Sequence, residues 1–116
     1  TSRLGIKAQE ILALPESNLL IPAIVLAEAS HIIMRGRTNI PSCESLIQAI
    51  VSDSRFTVVP LYQRIVERSF TLSLISELHD RLIVATALEL NAPSTPVSLI
   101  SKDANIRASG IIPVVW

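Results

Sequence analysis

A chain of 116 residues, 49% apolar and 17% charged, is sized for one domain over 1–116 and is too apolar to be a disordered segment. Its formal net charge of zero excludes a global basic field, so a nucleic-acid partner must be held locally, by a few arginines or through metal ions. A single cysteine, Cys43, excludes an internal disulfide framework or a Cys-rich zinc site and fits a reducing, cytoplasmic setting.

The elements follow in chain order. Leu4, Ala8, Ile11 and Leu12 have helical spacing, which predicts a helix over Arg3–Leu14 stopped by Pro15. Leu19–Ile21 reads as a short buried strand. Pro22 fits the first turn of a second helix, running to Met34 or Arg35 and ending at Gly36. That helix is apolar almost all round and is expected to be mostly buried, with Met34 and Cys43 in or near the core. The apolar run Leu19–Ala27 is interrupted by Pro22 and too short to span a bilayer, and no leader pattern opens the chain, so a soluble protein with no membrane partner is expected. Ser42 is set to cap a third helix over Cys43–Val51.

Phe56–Val59 is rich in β-formers and reads as a strand closed by Pro60. Helices are expected over Leu61–Phe70 and His79–Leu90, then a loop through Asn91 and Pro96. A strand over Val97–Ser101, a short helix over Ala104–Ala108 and a strand over Pro113–Trp116 complete the order, with Trp116 packing rather than stacking on a base. Strands alternating with helices, in a palette of Ile, Leu, Val and Ala with few aromatics, imply an α/β fold with three α/β/α layers and a mostly parallel central sheet.

Three acids stand out. Glu28 shares a stripe with His31 and Arg35 on the apolar second helix, which places a carboxylate in or near a cleft. Asp80 opens an apolar helix, and its face continues through Val84 and Ala87; the helix dipole keeps such a side chain charged. Asp103 follows a strand, at the carboxyl end where ligands bind in open α/β sheets. Each has a plainer reading: a solvent-facing edge for Glu28, a dipole-favoured first-turn acid for Asp80, a helix cap for Asp103. Taken together they are expected to converge on one cleft, where a divalent cation, Mg²⁺ or Mn²⁺, neutralises their repulsion.

The stretch Glu77-Leu-His-Asp-Arg-Leu-Ile-Val-Ala-Thr-Ala-Leu88, followed by Leu99-Ile-Ser-Lys-Asp103, Ile106, Gly110 and the closing Val-Val-Trp, resembles PIN-domain ribonucleases of VapC-like toxins. Ile21-Pro-Ala-Ile-Val-Leu-Ala-Glu28, with Gly36 behind it, resembles another block of that family. The resemblance implies a metal-dependent endoribonuclease, the toxin of a toxin–antitoxin pair, with Glu28, Asp80 and Asp103 as catalytic metal ligands. It also implies RNA as substrate, a cognate antitoxin protein as partner, and a homodimer. The family's remaining acid stands on a first strand as Asp-Thr or Asp-Ser. No such pair precedes Arg3, so the chain reads as an amino-terminally incomplete PIN-like domain lacking its first strand. A non-catalytic or degenerate PIN-like binding module is the alternative.

Among the remaining polar residues, Arg35 and Arg37 flank Gly36 and are the candidates for RNA or partner contact, with Arg81 beside Asp80. Arg81 opposes the dipole of its own helix, which calls for compensation by Glu77, a neighbouring acid or RNA; an internal ion pair is expected. His79 reads as a cap or loop residue, His31 as a neighbour of Glu28, and Ser101 and Asn105 as turn residues beside Asp103.

Overall fold

A computed structural model describes residues 4–116. Arg3, the first residue of the first expected helix, lies outside the described residues. The chain divides into two compact units: a middle unit of Pro15–Pro60, and a flanking unit made of the chain up to Leu14 together with Leu61–Trp116.

In the middle unit the order is β1 (Leu19–Pro22), α2 (Ala23–Met34), α3 (Cys43–Val51) and β2 (Phe56–Val59). β1 and β2 pair in parallel, from Leu19 opposite Phe56 to Pro22 opposite Val59. Parallel neighbours require a crossover connection, which α2 and α3 supply. Pro22 ends the strand and caps α2 at φ −60°, one step earlier than the first-turn position expected. α2 stops in a Schellman motif: Gly36 takes φ +68°, its N–H donates to Ile33 at 2.9 Å, and the N–H of Arg37 donates to Ile32 at 3.2 Å. The Ser42 hydroxyl accepts from the N–H of Ser45 at 3.1 Å and caps α3 as expected. Asp53 and Arg55, paired at 2.8 Å, close the turn into β2.

The burial of this unit differs from expectation. Leu19 and Val59 are its buried apolar residues, and none of the residues of α2 is fully buried. α2 packs on β1 and on α3 within the unit. Two neighbours half-cover the helix and leave its last turn open, so Met34 is 72% exposed rather than in the core. Cys43 is half-buried, its Sγ donating to the Ser30 carbonyl at 3.6 Å.

The flanking unit holds α1 (Ile6–Ala13), α4 (Gln63–Ser69), α5 (Leu78–Leu90), β3 (Leu99–Ile100), α6 (Ala104–Ser109) and β4 (Val114–Val115). β3 and β4 pair in parallel with α6 as the crossover, a second strand–helix–strand arrangement. The class is therefore α/β with parallel strands, which among the described residues form two two-stranded pairs. Ile65 of α4 and Val84 of α5 are enclosed completely, with Ala8, Leu72, Ile75, Leu82, Ala85, Ala87, Ile106 and Ile112 also buried. Burying each large aliphatic side chain contributes roughly 1.5–3 kcal/mol. The buried Thr86 hydroxyl donates to the Leu82 carbonyl at 2.7 Å, so it enters the core without an unsatisfied donor. On the surface, Arg64 and Arg68 both reach Glu89 at 3.0 Å and tie α4 to α5.

β3 is shorter than the Val97–Ser101 expected because the side chain of Asn91 takes the N–H of Val97 at 2.7 Å, and a residue bonded there does not join the ladder. Trp116 packs, as expected. Its carbonyl accepts from the N–H of Ala8 at 3.1 Å, and a Cβ on Gly5 would lie 2.1 Å from that oxygen. Only glycine lets these two ends of the flanking unit approach so closely.

Candidate functional site

Asp103 lies just past the carboxyl end of β3 and is the N-cap of α6. Its Oδ1 accepts from the N–H of Asn105 at 2.8 Å and of Ile106 at 3.0 Å, and its own N–H donates to the Ser101 hydroxyl at 3.0 Å. Capping thus occupies one carboxylate oxygen and fixes the plane of the group. Ile106, the second residue it caps, is 3% exposed, so the turn is anchored in the core.

Asp80 is the third residue of α5, half-buried in its first turn. Below it on the same face, Val84 and Ala87 are buried, which fixes the rotation of the helix. The cap is Glu77, so α5 starts one residue before the expected His79. The Oε2 of Glu77 accepts the N–H of Asp80 at 2.8 Å, and its Oε1 lies 3.3 Å from Nδ1 of His79. The N–H of Asp80 holds the Glu77 carboxyl below its usual range; partial desolvation opposes this, and the N–H and charge of His79 add to it. Sequence reading names Glu77 only as a candidate counter-charge for Arg81. The signal for its capping role is the three-residue spacing from Glu77 to Asp80, that of a cap and the donor it serves.

Arg81 finds a different partner from the expected carboxylate. Its Nε donates to the backbone carbonyl of Ile75, an acceptor that offsets the unfavourable end of the helix dipole without an acid. Glu28 sits in the middle of α2, half-buried, and His31 one turn on is exposed. Arg35 caps the carboxyl end of α2 and, like Arg37, is exposed, where a cation complements the helix terminus.

Glu28 belongs to the middle unit, and Asp80 and Asp103 to the flanking unit. By donor chemistry these carboxylates suit a hard divalent cation. Among the described residues, no group of three or more His, Cys, Asp or Glu side chains is gathered to hold one.

Parallel strands joined through helices, with one acid beyond a strand's carboxyl end and another in the first turn of an apolar helix, make this an α/β protein. The model of the PIN domain family matches residues 1–110, running through both units, and the chain belongs to that family. PIN domains are in general nuclease-like, engage RNA and use divalent metal ions. No curated protein and no solved structure matches the chain. Among the described residues no helix is long and apolar enough to cross a membrane.

Proposed function

We propose that the chain is a metal-dependent endoribonuclease of the toxin–antitoxin type, VapC-like, acting on RNA phosphodiester bonds in the cytoplasm. The observation that carries this is the family match through both units, over a chain whose Asp80 and Asp103 stand at a helix start and past a strand end. Glu28, Asp80 and Asp103 would hold Mg²⁺ or Mn²⁺. When bound, such an ion supplies Lewis acidity toward the phosphodiester and an activated water. The protein's own part is to present acceptor oxygens: Asp103 through the carboxylate oxygen its cap does not use, Asp80 from a helix whose rotation the core fixes. Arg35 and Arg37 offer exposed cations to the RNA backbone, with Arg81 beside Asp80.

The partners are a cognate antitoxin protein and a second copy of the chain. The exposed side chains of Ile32, Met34, Ile40, Ile47 and Val51 in the middle unit support this, since apolar side chains left open to solvent are available to meet other proteins.

The test is a Mn²⁺ titration and an RNA-cleavage assay on the chain and on Asp80→Asn. Metal-dependent cleavage that the substitution abolishes upholds the reading. A second reading, a non-catalytic PIN-like binding module, draws on Asp103, whose capping of α6 accounts for that acid without an ion. Equal Mn²⁺ response and no cleavage in both proteins would select it.

A further inference from the structure

We propose that Glu77 is a positioning residue for Asp80, one carboxylate oxygen holding the backbone of that acid and the other standing beside the imidazole of the residue before it. The inference rests on the reading of Asp80 as a metal ligand and extends it. One oxygen of Glu77 accepts the N–H of Asp80 at 2.8 Å, and the other lies 3.3 Å from Nδ1 of His79. On the far side of Asp80, the guanidinium of Arg81 is bonded to the carbonyl of Ile75, a residue only 3% exposed. The amide of Asp80 and the side chain of Arg81 are therefore bonded to the short segment 75–77, with His79 beside Glu77, and the core anchors that segment through Ile75.

Capping alone does not explain a glutamate here. Ser, Thr, Asp and Asn are the preferred caps, because a short side chain reaches the free N–H with little loss of freedom. The longer carboxylate takes the N–H of Asp80 on one oxygen and sets the other 3.3 Å from Nδ1 of His79, an ion pair when that imidazole is protonated and a reach a serine does not have. Its effect is to remove backbone freedom from the first turn of α5, where Asp80 stands. A metal ligand gains from such support, since outer groups that orient a ligand commonly alter metal affinity about 10–100-fold when removed.

The experiment compares Mn²⁺ affinity, thermal midpoint and amide hydrogen exchange in the wild-type chain, Glu77→Ala, Glu77→Ser, Glu77→Gln and Asn91→Ala. Asn91 holds the N–H of Val97 just beyond the other end of α5 and serves as the control for helix stability. Glu77→Ala is expected to weaken Mn²⁺ binding about tenfold or more, with Glu77→Gln, which keeps one acceptor oxygen for the Asp80 amide, restoring only part of it. Glu77→Ser is expected to recover the midpoint but only part of the affinity, and Asn91→Ala to lower the midpoint while leaving affinity unchanged. Wild-type affinity in Glu77→Ala, or an equal loss in Asn91→Ala, overturns the proposal.

Exchange at the Asp80 amide in the metal-free protein separates this from the metal reading. Faster exchange in Glu77→Ala upholds the clamp, and unchanged exchange overturns it. Equal Mn²⁺ binding by wild type and Asp80→Asn instead overturns the metal reading, while the amide result still decides whether Glu77 holds Asp80.

Discussion

α2 in the middle unit and α5 in the flanking unit are helices of similar length with opposite fates. The more apolar of the two, Ala23–Met34, contributes no fully buried residue, while Leu78–Leu90, with two acids and an arginine, contributes Leu82, Val84, Ala85, Thr86 and Ala87. Hydropathy states what a helix would gain from burial; the neighbouring elements decide whether it is buried. α5 has α4 packed against it, with Ile65 of α4 buried and the paired arginines of α4 on Glu89. The flanking unit is held by a core of its own. The middle unit leans on its strand pair, on end caps and on a Schellman turn.

The largest expected effect tests this contrast directly. Ile65→Ala removes a side chain that is 1% exposed and should cost about 2–5 kcal/mol. Ile47→Ala on α3 removes the branched side chain of a residue that is 44% exposed and should stay within about 0.5 kcal/mol. Chemical denaturation midpoints of the two variants give the answer. Equal losses would mean that the helices of the middle unit are as well covered as those of the flanking unit, and the contrast would be gone.

The next effect concerns how the flanking unit joins its distant segments. Gly5→Ala places a methyl 2.1 Å from the carbonyl oxygen of Trp116 and 2.3 Å from its carbon. These are backbone atoms with no rotamer to yield, so the chain itself must move. Forced overpacking of this kind costs about 1–3 kcal/mol. Trp116 is the sole tryptophan, and its emission should shift red as the contact opens. An unchanged spectrum and midpoint would show that this approach contributes little to the unit.

Much of this was legible in the residues, and the remainder has physical reasons. The bounds of α3 and β2 follow from Ser42 as a cap and from Phe-Thr-Val-Val before Pro60, both local signals. The shortening of β3 depends on Asn91 reaching Val97, a side-chain bond across six residues that strand patterning does not register. The packing of Gly5 on Trp116 joins the two ends of the chain and leaves no local trace. In the site, the helix start at Asp80 and the strand end at Asp103 could be placed from dipole and topology. Glu77 was harder to see, because glutamate is an unusual cap and the helix begins one residue before its apolar pattern suggests. The carbonyl partner of Arg81 is invisible in principle, since every residue carries a carbonyl.

A smaller effect sharpens the account of the middle unit. Ser42→Ala removes the hydroxyl that accepts from Ser45 and should cost about 1 kcal/mol. Ser42→Asp should recover most of it, since aspartate caps as well and places a negative charge at the helix start. Denaturation midpoints of the pair decide the matter. A neutral Ser42→Ala would mean that α3 is held by packing after all.

The smallest effect is a response to pH that both units share. In the flanking unit the hydrogen bond from Arg64 is the main cause holding the Glu89 carboxyl below its usual value, with Arg68 adding to it and desolvation opposing; Glu77 is depressed in the same direction. In the middle unit Arg55 does the same for Asp53. A carboxyl whose folded pKa lies below its unfolded value gives stability that is complete above the unfolded value and is lost as the pH falls through the folded one. The thermal midpoint should therefore decline on acidification below the ordinary carboxylate range. Glu89→Gln and Asp53→Asn should each flatten part of that decline, and added salt should shrink both contributions because these pairs are only partly buried. If Asp53→Asn flattened the acid limb while Glu89→Gln left it unchanged, the arginines on α4 would be holding Glu89 for geometry alone, and the flanking unit would depend on its core even more heavily than the burial pattern implies.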